Sequence, residues 1–74
     1  MSHDKLSTRL SLILTKLNNG EHFTVEELAH EFNVTTRTIQ RDINERLVYI
    51  PIVKENNHYF MASYALGKLN FKDI

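Results

Sequence analysis

The stretch Thr24-Val25-Glu26-Glu27-Leu28-Ala29-His30-Glu31-Phe32-Asn33-Val34-Thr35-Thr36-Arg37-Thr38-Ile39-Gln40-Arg41-Asp42-Ile43 contains two helix beginnings in close succession. Thr24-Val25-Glu26-Glu27 reads as a capping box, in which the Thr24 hydroxyl and the Glu27 carboxylate each accept a hydrogen bond from the other residue's backbone N–H. Val25, Leu28, Ala29 and Phe32 then fall on one face of a helix over residues 25–32. Asn33 tolerates the left-handed conformation in which helices end. Thr35 supplies the next N-cap, which leaves a turn of about three residues centred on Val34. So short a connection forces steep crossing, with Val34 filling the angle and Ala29 small enough to let the helices approach.

Beyond this stretch, Ile39, Ile43 and Leu47 give a third helix over residues 36–46 its buried stripe. Its opposite side carries Thr36, Arg37, Gln40, Arg41 and Asn44, all hydrogen-bond donors. Upstream, Leu6, Leu10, Ile13, Leu14 and Leu17 mark a first helix over residues 5–17, closed by Asn18-Asn19-Gly20. His22 and Phe23 form a short extended piece before Thr24. Downstream the period changes: residues 48–53 are rich in β-branched side chains, Asn56-Asn57 favours a tight turn, and Tyr59-Phe60-Met61 is aromatic and extended. That predicts a hairpin over residues 48–62, with Pro51 at a strand start. With Asn56 and Asn57 as turn residues, Ile52, Lys54, Tyr59 and Met61 share one face, and Val53, Glu55, His58 and Phe60 the other. Large apolar groups on both faces suggest that Val53 and Phe60 meet a partner surface, either a second subunit or a following domain. Leu12, off the first helix's stripe, is an ordinary exposed leucine or part of the same contact. The fold class is thus mainly α with a small β-hairpin, a three-helix winged helix-turn-helix over residues 1–62, followed by a linker over residues 63–74.

A chain of 74 residues builds one small core, worth a few kcal/mol of net stability, with no room for an enclosed multi-step active site. No nucleophile, base and orienting group are spaced to work together, so the chain reads as a non-enzyme. It has no cysteine, and His3, His22 and His30 lack metal-ligand spacing, so neither a metal nor a cofactor is expected. No apolar run reaches membrane-span length and the first residues lack a secretory layout, which points to a cytoplasmic protein with no membrane contact. The formal net charge is zero, but its distribution is a mosaic. Glu21, Glu26, Glu27 and Glu31 make residues 18–34 acidic, whereas Arg37, Arg41, Arg46 and Lys54 outweigh Asp42 and Glu45 over residues 35–54. Such a chain can carry a local basic face while binding DNA weakly without regard to sequence.

The third helix suits the major groove, where each base pair shows its own donor and acceptor pattern. Arg37 and Arg41 fit guanine or phosphate, Gln40 fits adenine, Asn44 fits a base edge or phosphate, and Thr36 fits a phosphate near the helix N-terminus. At the wing, Lys54, Asn56, Asn57 and His58 reach the adjacent backbone or the minor groove. The plainer alternative for Arg37, Gln40 and Arg41 is a solvated helix face, and for His58 a solvated turn. Thr38 is a capping and packing residue or a base reader. Asp42 has the wrong charge for DNA and reads as structural, paired with Arg46 four residues on or with Arg9. The acidic second helix reads as a solvent face turned away from phosphate. One recognition helix covers few base pairs, so double-stranded DNA would be bound by a homodimer on a repeated or palindromic site. The alternative use of the same fold is a protein–protein interaction module that binds no DNA.

The sequence also resembles a known family. Arg9, Ile13 and Leu17 on the first helix, with Thr35, Thr38, Ile39, Arg41, Asp42 and Ile43 on the third, are similar to the DeoR-type helix-turn-helix signature of bacterial regulators. The most specific part is the run Thr35-Thr36-Arg37-Thr38-Ile39-Gln40-Arg41-Asp42-Ile43. Gln40, where that signature usually carries Arg or His, resembles instead the similar N-terminal winged helix of WYL-domain regulators. In those proteins a linker resembling Leu69-Asn70-Phe71-Lys72 leads into a ligand-sensing part. The resemblance covers residues 5–62 for the domain and residues 66–74 for the linker. It implies the N-terminal fragment of a longer, nucleoid-associated bacterial transcriptional regulator whose sensor domain follows.

Overall fold

The computed structural model describes residues 2–67, so Leu69-Asn70-Phe71-Lys72 lies outside the described residues. The helices are α1 (Ser2–Asn18), α2 (Val25–Phe32) and α3 (Thr36–Arg41), the last carried on by a π-helical turn, Asp42–Arg46. Strands β1 (Ile52–Glu55) and β2 (His58–Met61) pair antiparallel, and Ser63–Ala65 forms a 3₁₀ turn. This is the mainly helical, winged helix-turn-helix architecture that the periodicity predicts.

Local chemistry sets each boundary. Thr24 Oγ1 accepts from Glu27 N–H at 3.0 Å while Glu27 Oε1 accepts from Thr24 N–H at 2.8 Å, which closes the capping box. Asn33 ends α2 at φ 55° and ψ 48°, and the Val34 N–H donates back to the Ala29 carbonyl at 2.9 Å. Thr35 caps α3, its Oγ1 accepting from Thr38 N–H at 3.3 Å, with the two threonine hydroxyls 3.1 Å apart. Thr38 is therefore occupied in capping. Val34 packs against the core and Ala29 is buried at the helix crossing, as the short turn requires.

The core joins α1, α2, α3 and the hairpin: Ile13, Leu17, Leu28, Ile39, Leu47 and Met61 are all but fully buried. Phe23 forms an isolated bridge with Tyr59, its N–H donating to the Tyr59 carbonyl at 3.1 Å and its carbonyl accepting from the Tyr59 N–H at 2.7 Å. The extended piece at His22 and Phe23 is thus a third edge to the hairpin. In the hairpin Ile52 faces Met61, Val53 faces Phe60, Lys54 faces Tyr59 and Glu55 faces His58. The turn residues Asn56 and Asn57 sit at φ 52° and 68°, the left-handed pair that a two-residue hairpin turn needs. At the far end Gly67 N–H donates to the Asn18 carbonyl at 3.2 Å, and Leu66 lies over Gly20.

Three boundaries differ from the sequence reading. First, α1 begins before Lys5 and ends one residue past Leu17. Second, residues 48–51 are not strand: the Ile50 N–H donates to the Leu47 carbonyl at 3.0 Å, and Val48 and Tyr49 stand 70% and 73% exposed. The chain has to reverse out of the helix before it can enter the sheet, and Pro51 cannot donate to a ladder. Tertiary geometry here overrides a β-branched composition.

Third, the helix over residues 36–46 does not stay α. Its last turn widens, and Leu47 N–H donates to the Asp42 carbonyl at 2.8 Å, five residues back. In an α-helix residues five apart are about 140° apart around the axis. The wider turn brings them to nearly the same side. Asp42 and Leu47 are both buried, at 0% and 1% exposure, so the wide turn lets one face bury both.

The burial of Asp42 is compensated by two guanidinium groups. Arg9 on α1 donates from Nε to Oδ2 at 2.5 Å and from Nη2 to Oδ1 at 3.2 Å, and Arg46 donates from Nη1 to Oδ1 at 2.7 Å. Arg9→Met is expected to lower unfolding stability by about 3 kcal/mol, because it leaves a buried carboxylate half-paired. In urea titrations Arg9→Met with Asp42→Leu should regain most of that loss; a wild-type midpoint for the single variant would contradict this account. At the hairpin, Asn57→Gly should stabilise by about 0.5 kcal/mol and Asn57→Val destabilise by about 1 kcal/mol, since only glycine relieves a positive φ. Thermal unfolding of the two variants measures the difference, and equal midpoints would refute the turn assignment.

Candidate nucleic-acid interface

The polar side of α3 is displayed because its other side is held. Ile39 and Ile43 are buried in the core, and Asp42 is bound to α1 through Arg9. Thr36, Arg37, Gln40, Arg41 and Asn44 are consequently exposed, on successive turns of one face. Arg37, Gln40, Arg41, Asn44 and Glu45 enclose a shallow depression of about 240 Å³. Gln40 also lines a cleft of about 110 Å³ between α3 and the wing, together with Glu26, Lys54 and Asn57. Asn44 and Lys54 share a third depression of about 360 Å³, floored by Leu47 and Tyr59. Six of the seven residues read as DNA contacts therefore line these adjoining depressions, Arg37, Gln40, Arg41 and Asn44 from the helix and Lys54 and Asn57 from the wing; Thr36 is exposed at the first turn of α3 but lines none of the three.

The charge on this surface differs from that of the chain. Arg9 and Arg46 are bound to Asp42, and Lys16 lies 3.1 Å from Glu31 and 3.7 Å from Glu21. Among the described residues, Arg37, Arg41 and Lys54 have no carboxylate within ion-pair distance. Lys54 instead holds its ammonium 5.7 Å from the centre of the Tyr59 ring, a cation–π contact that keeps it over the cleft. Arg9, Arg46 and Lys16 are engaged by carboxylates, while the cations on α3 and the wing stay available to an anion. A chain with zero net charge thus presents a locally positive face.

The acidic second helix is not turned away as a whole. Glu27 is used in the cap and Glu31 binds Lys16, but Glu26 lines the cleft beside Gln40 and Lys54. The reason is the Phe23–Tyr59 bridge, which seats the hairpin against the start of α2 and so brings the first turn of that helix to the wing. Glu45 likewise borders the depression of Arg37 and Arg41. No periodicity of α2 taken alone would reveal this, since the bridge is a long-range pairing.

At the wing, His58 turns its Nδ1 to the Asn56 carbonyl at 3.0 Å, a local contact within the turn. Phe60, read with Val53 as meeting a second subunit or a following domain, is covered on one side from within the chain: the His22 ring stacks on it at 4.3 Å and 9° between planes. A signal for this was present, because His22 adjoins Phe23 and alternation puts it on the face opposite Tyr59. Val53 beside it is half-buried, and Leu12 is exposed. Among the described residues no group of histidine, aspartate or glutamate is placed to hold a metal ion, and no helix is long and apolar enough to cross a membrane.

No curated protein and no solved structure matches the chain significantly. A family model does: that of the HTH domain, over residues 9–60. The matched span starts at Arg9, the residue that fixes α3 against α1, takes in both helices of the short turn, and ends at Phe60 on the second strand of the wing. With the architecture and the match in agreement over most of its length, the chain belongs to the helix-turn-helix (HTH) domain family.

Proposed function

We propose that the chain is the sequence-specific DNA-binding domain of a bacterial transcriptional regulator of the DeoR or WYL kind. The observation that carries this reading is the pair of exposed, unpaired guanidinium groups, Arg37 and Arg41, flanking Gln40 on a helix whose other side is buried. Arg37 and Arg41 pair with guanine O6 and N7 or with phosphate, Gln40 with adenine, and Asn44 with a base edge. Thr36 offers its hydroxyl to a phosphate at the start of α3, and Lys54 and Asn57 meet the adjacent backbone or minor groove. One such helix spans few base pairs, so the regulator acts as a homodimer on a repeated or palindromic site, in the cytoplasm and on the nucleoid. A sensor domain follows the winged helix, as the resemblance of the linker implies. HTH domains are of a DNA-binding kind, and the reading assigns the chain no chemistry of its own.

A second reading, a winged helix used for protein contact, draws on Val48, Tyr49 and Tyr64, each at least 70% exposed. The two readings separate in a salt series on a library of duplex fragments. DNA binding predicts that Arg37→Ala or Arg41→Ala weakens the selected site by about 1–3 kcal/mol where the residue reads a base. Where it meets phosphate, the loss is uniform across sequences and the salt slope falls by about one. Unchanged affinity and unchanged site preference in both variants would sink the DNA reading. Protein contact predicts no salt-dependent DNA binding, and loss of a complex on Tyr49→Asp.

A further inference from the structure

The cleft between α3 and the wing contains a carboxylate among groups suited to DNA. Glu26 from α2, Gln40 from α3, Lys54 from β1 and Asn57 from the hairpin turn line it together. The Glu26 side chain is exposed and, among the described residues, has neither a hydrogen bond nor an ion pair, although Lys54 lines the same cleft. Neither capping nor charge pairing accounts for it, whereas Glu27 and Glu31 on the same helix are each engaged.

An ionised carboxylate only accepts hydrogen bonds. Against duplex DNA it is repelled by every phosphate, and the groups in the major groove that can satisfy it are the exocyclic amines, cytosine N4 foremost. Gln40, which shares the cleft, is the residue type that pairs with adenine N6 and N7. Resting on the DNA-binding reading above, we propose that Glu26 is a specificity-determining residue: its carboxylate accepts from the N4 amine of a cytosine next to the base pair met by Gln40, and it repels the backbone in registers that lack that amine. The net charge of zero belongs to the same design, since weak binding to arbitrary sequence widens the margin by which the right site is preferred.

The test compares the full chain with Glu26→Gln and Glu26→Ala in selection from random duplexes, and on one arbitrary duplex at low salt. Wild type should select a site with a cytosine preferred roughly fivefold or more at one position. Glu26→Ala should lose that preference and Glu26→Gln should lose it or shift it to adenine, with positions set by Arg37 and Arg41 unchanged. Both variants should bind the arbitrary duplex roughly threefold to tenfold more tightly. Glu26 is exposed on a first turn, so both variants should fold, and their thermal unfolding is the control that checks it. A variant site identical at every position to that of wild type overturns the role of Glu26 while leaving DNA binding intact. Tighter arbitrary binding with no change of base preference overturns it as well. Failure of wild type to select any site overturns the DNA-binding reading beneath it.

Discussion

Asp42 has no exposed surface, and a carboxylate in that condition persists only if its lone pairs are filled by donors of opposite charge. Arg9 reaches it from α1 and Arg46 from the following turn of its own helix. Apolar packing is non-directional, so the shared burial of Ile13, Ile39 and Ile43 in one core would tolerate small rotations of α3. A two-pronged guanidinium contact has far less freedom, because its bonds need both distance and angle. Rotation of α3 about its axis is what decides whether Arg37, Gln40 and Arg41 face outward, so the buried pair sets the display of the proposed readers. The wide turn at Asp42–Arg46 fits the same arrangement: on a regular α-helix residues five apart diverge by about 140°, and widening the turn brings Asp42 and Leu47 closer to one side.

The distribution of charge follows from that arrangement. A chain whose formal charges cancel would be a poor candidate for polyanion binding if all of them were in solvent. Here two of the arginines and Lys16 are bound to carboxylates, and Glu27 is turned to a backbone donor, while Arg37, Arg41 and Lys54 keep their charge for the surface. Pairing inside the domain therefore creates a field that the sum conceals. The field is also local, since it declines within about 8 Å at physiological ionic strength, which confines its action to an anion already close to α3 and the wing.

How much of this was legible in the sequence depended on the range of the interaction that produces each feature. Thr24, Asn33, Thr35 and the Asn56-Asn57 pair act on their own neighbours, and each does what its residue type implies. The exposed row on α3 was legible for the same reason, being the complement of the stripe Ile39, Ile43 and Leu47. Features made by contacts between distant segments were less so. The non-strand path of residues 48–51 contradicts a β-branched composition, because a helix end and a strand start must be joined there in space. The place of Glu26 in the cleft depends on the Phe23–Tyr59 bridge, and the cover over Phe60 on a histidine from before α2. Asp42 is intermediate: its two candidate partners could be named from spacing, and the structure uses both.

The wing is the element least able to stand alone. Two strands of four residues are marginal in water, so their position has to come from contacts with the helices. Met61 and Tyr59 supply these from one face, and the bridge to Phe23 adds two backbone hydrogen bonds that fix the hairpin against the entrance of α2. Tyr59 is the common member: it is buried, it pairs with Phe23, its ring carries Lys54, and it borders both the cleft and the depression beside α3. Lys54 and Asn57 on the wing are thereby referred to the same core that orients α3. In a domain of this size, with only a few kcal/mol of stability to distribute, that shared reference means loss of packing at Tyr59 displaces the wing relative to α3 before it unfolds either one. The recognition proposed across the cleft, in which Gln40, Glu26 and Lys54 act on one stretch of duplex, is then more sensitive to core substitutions than the exposed face of α3 is.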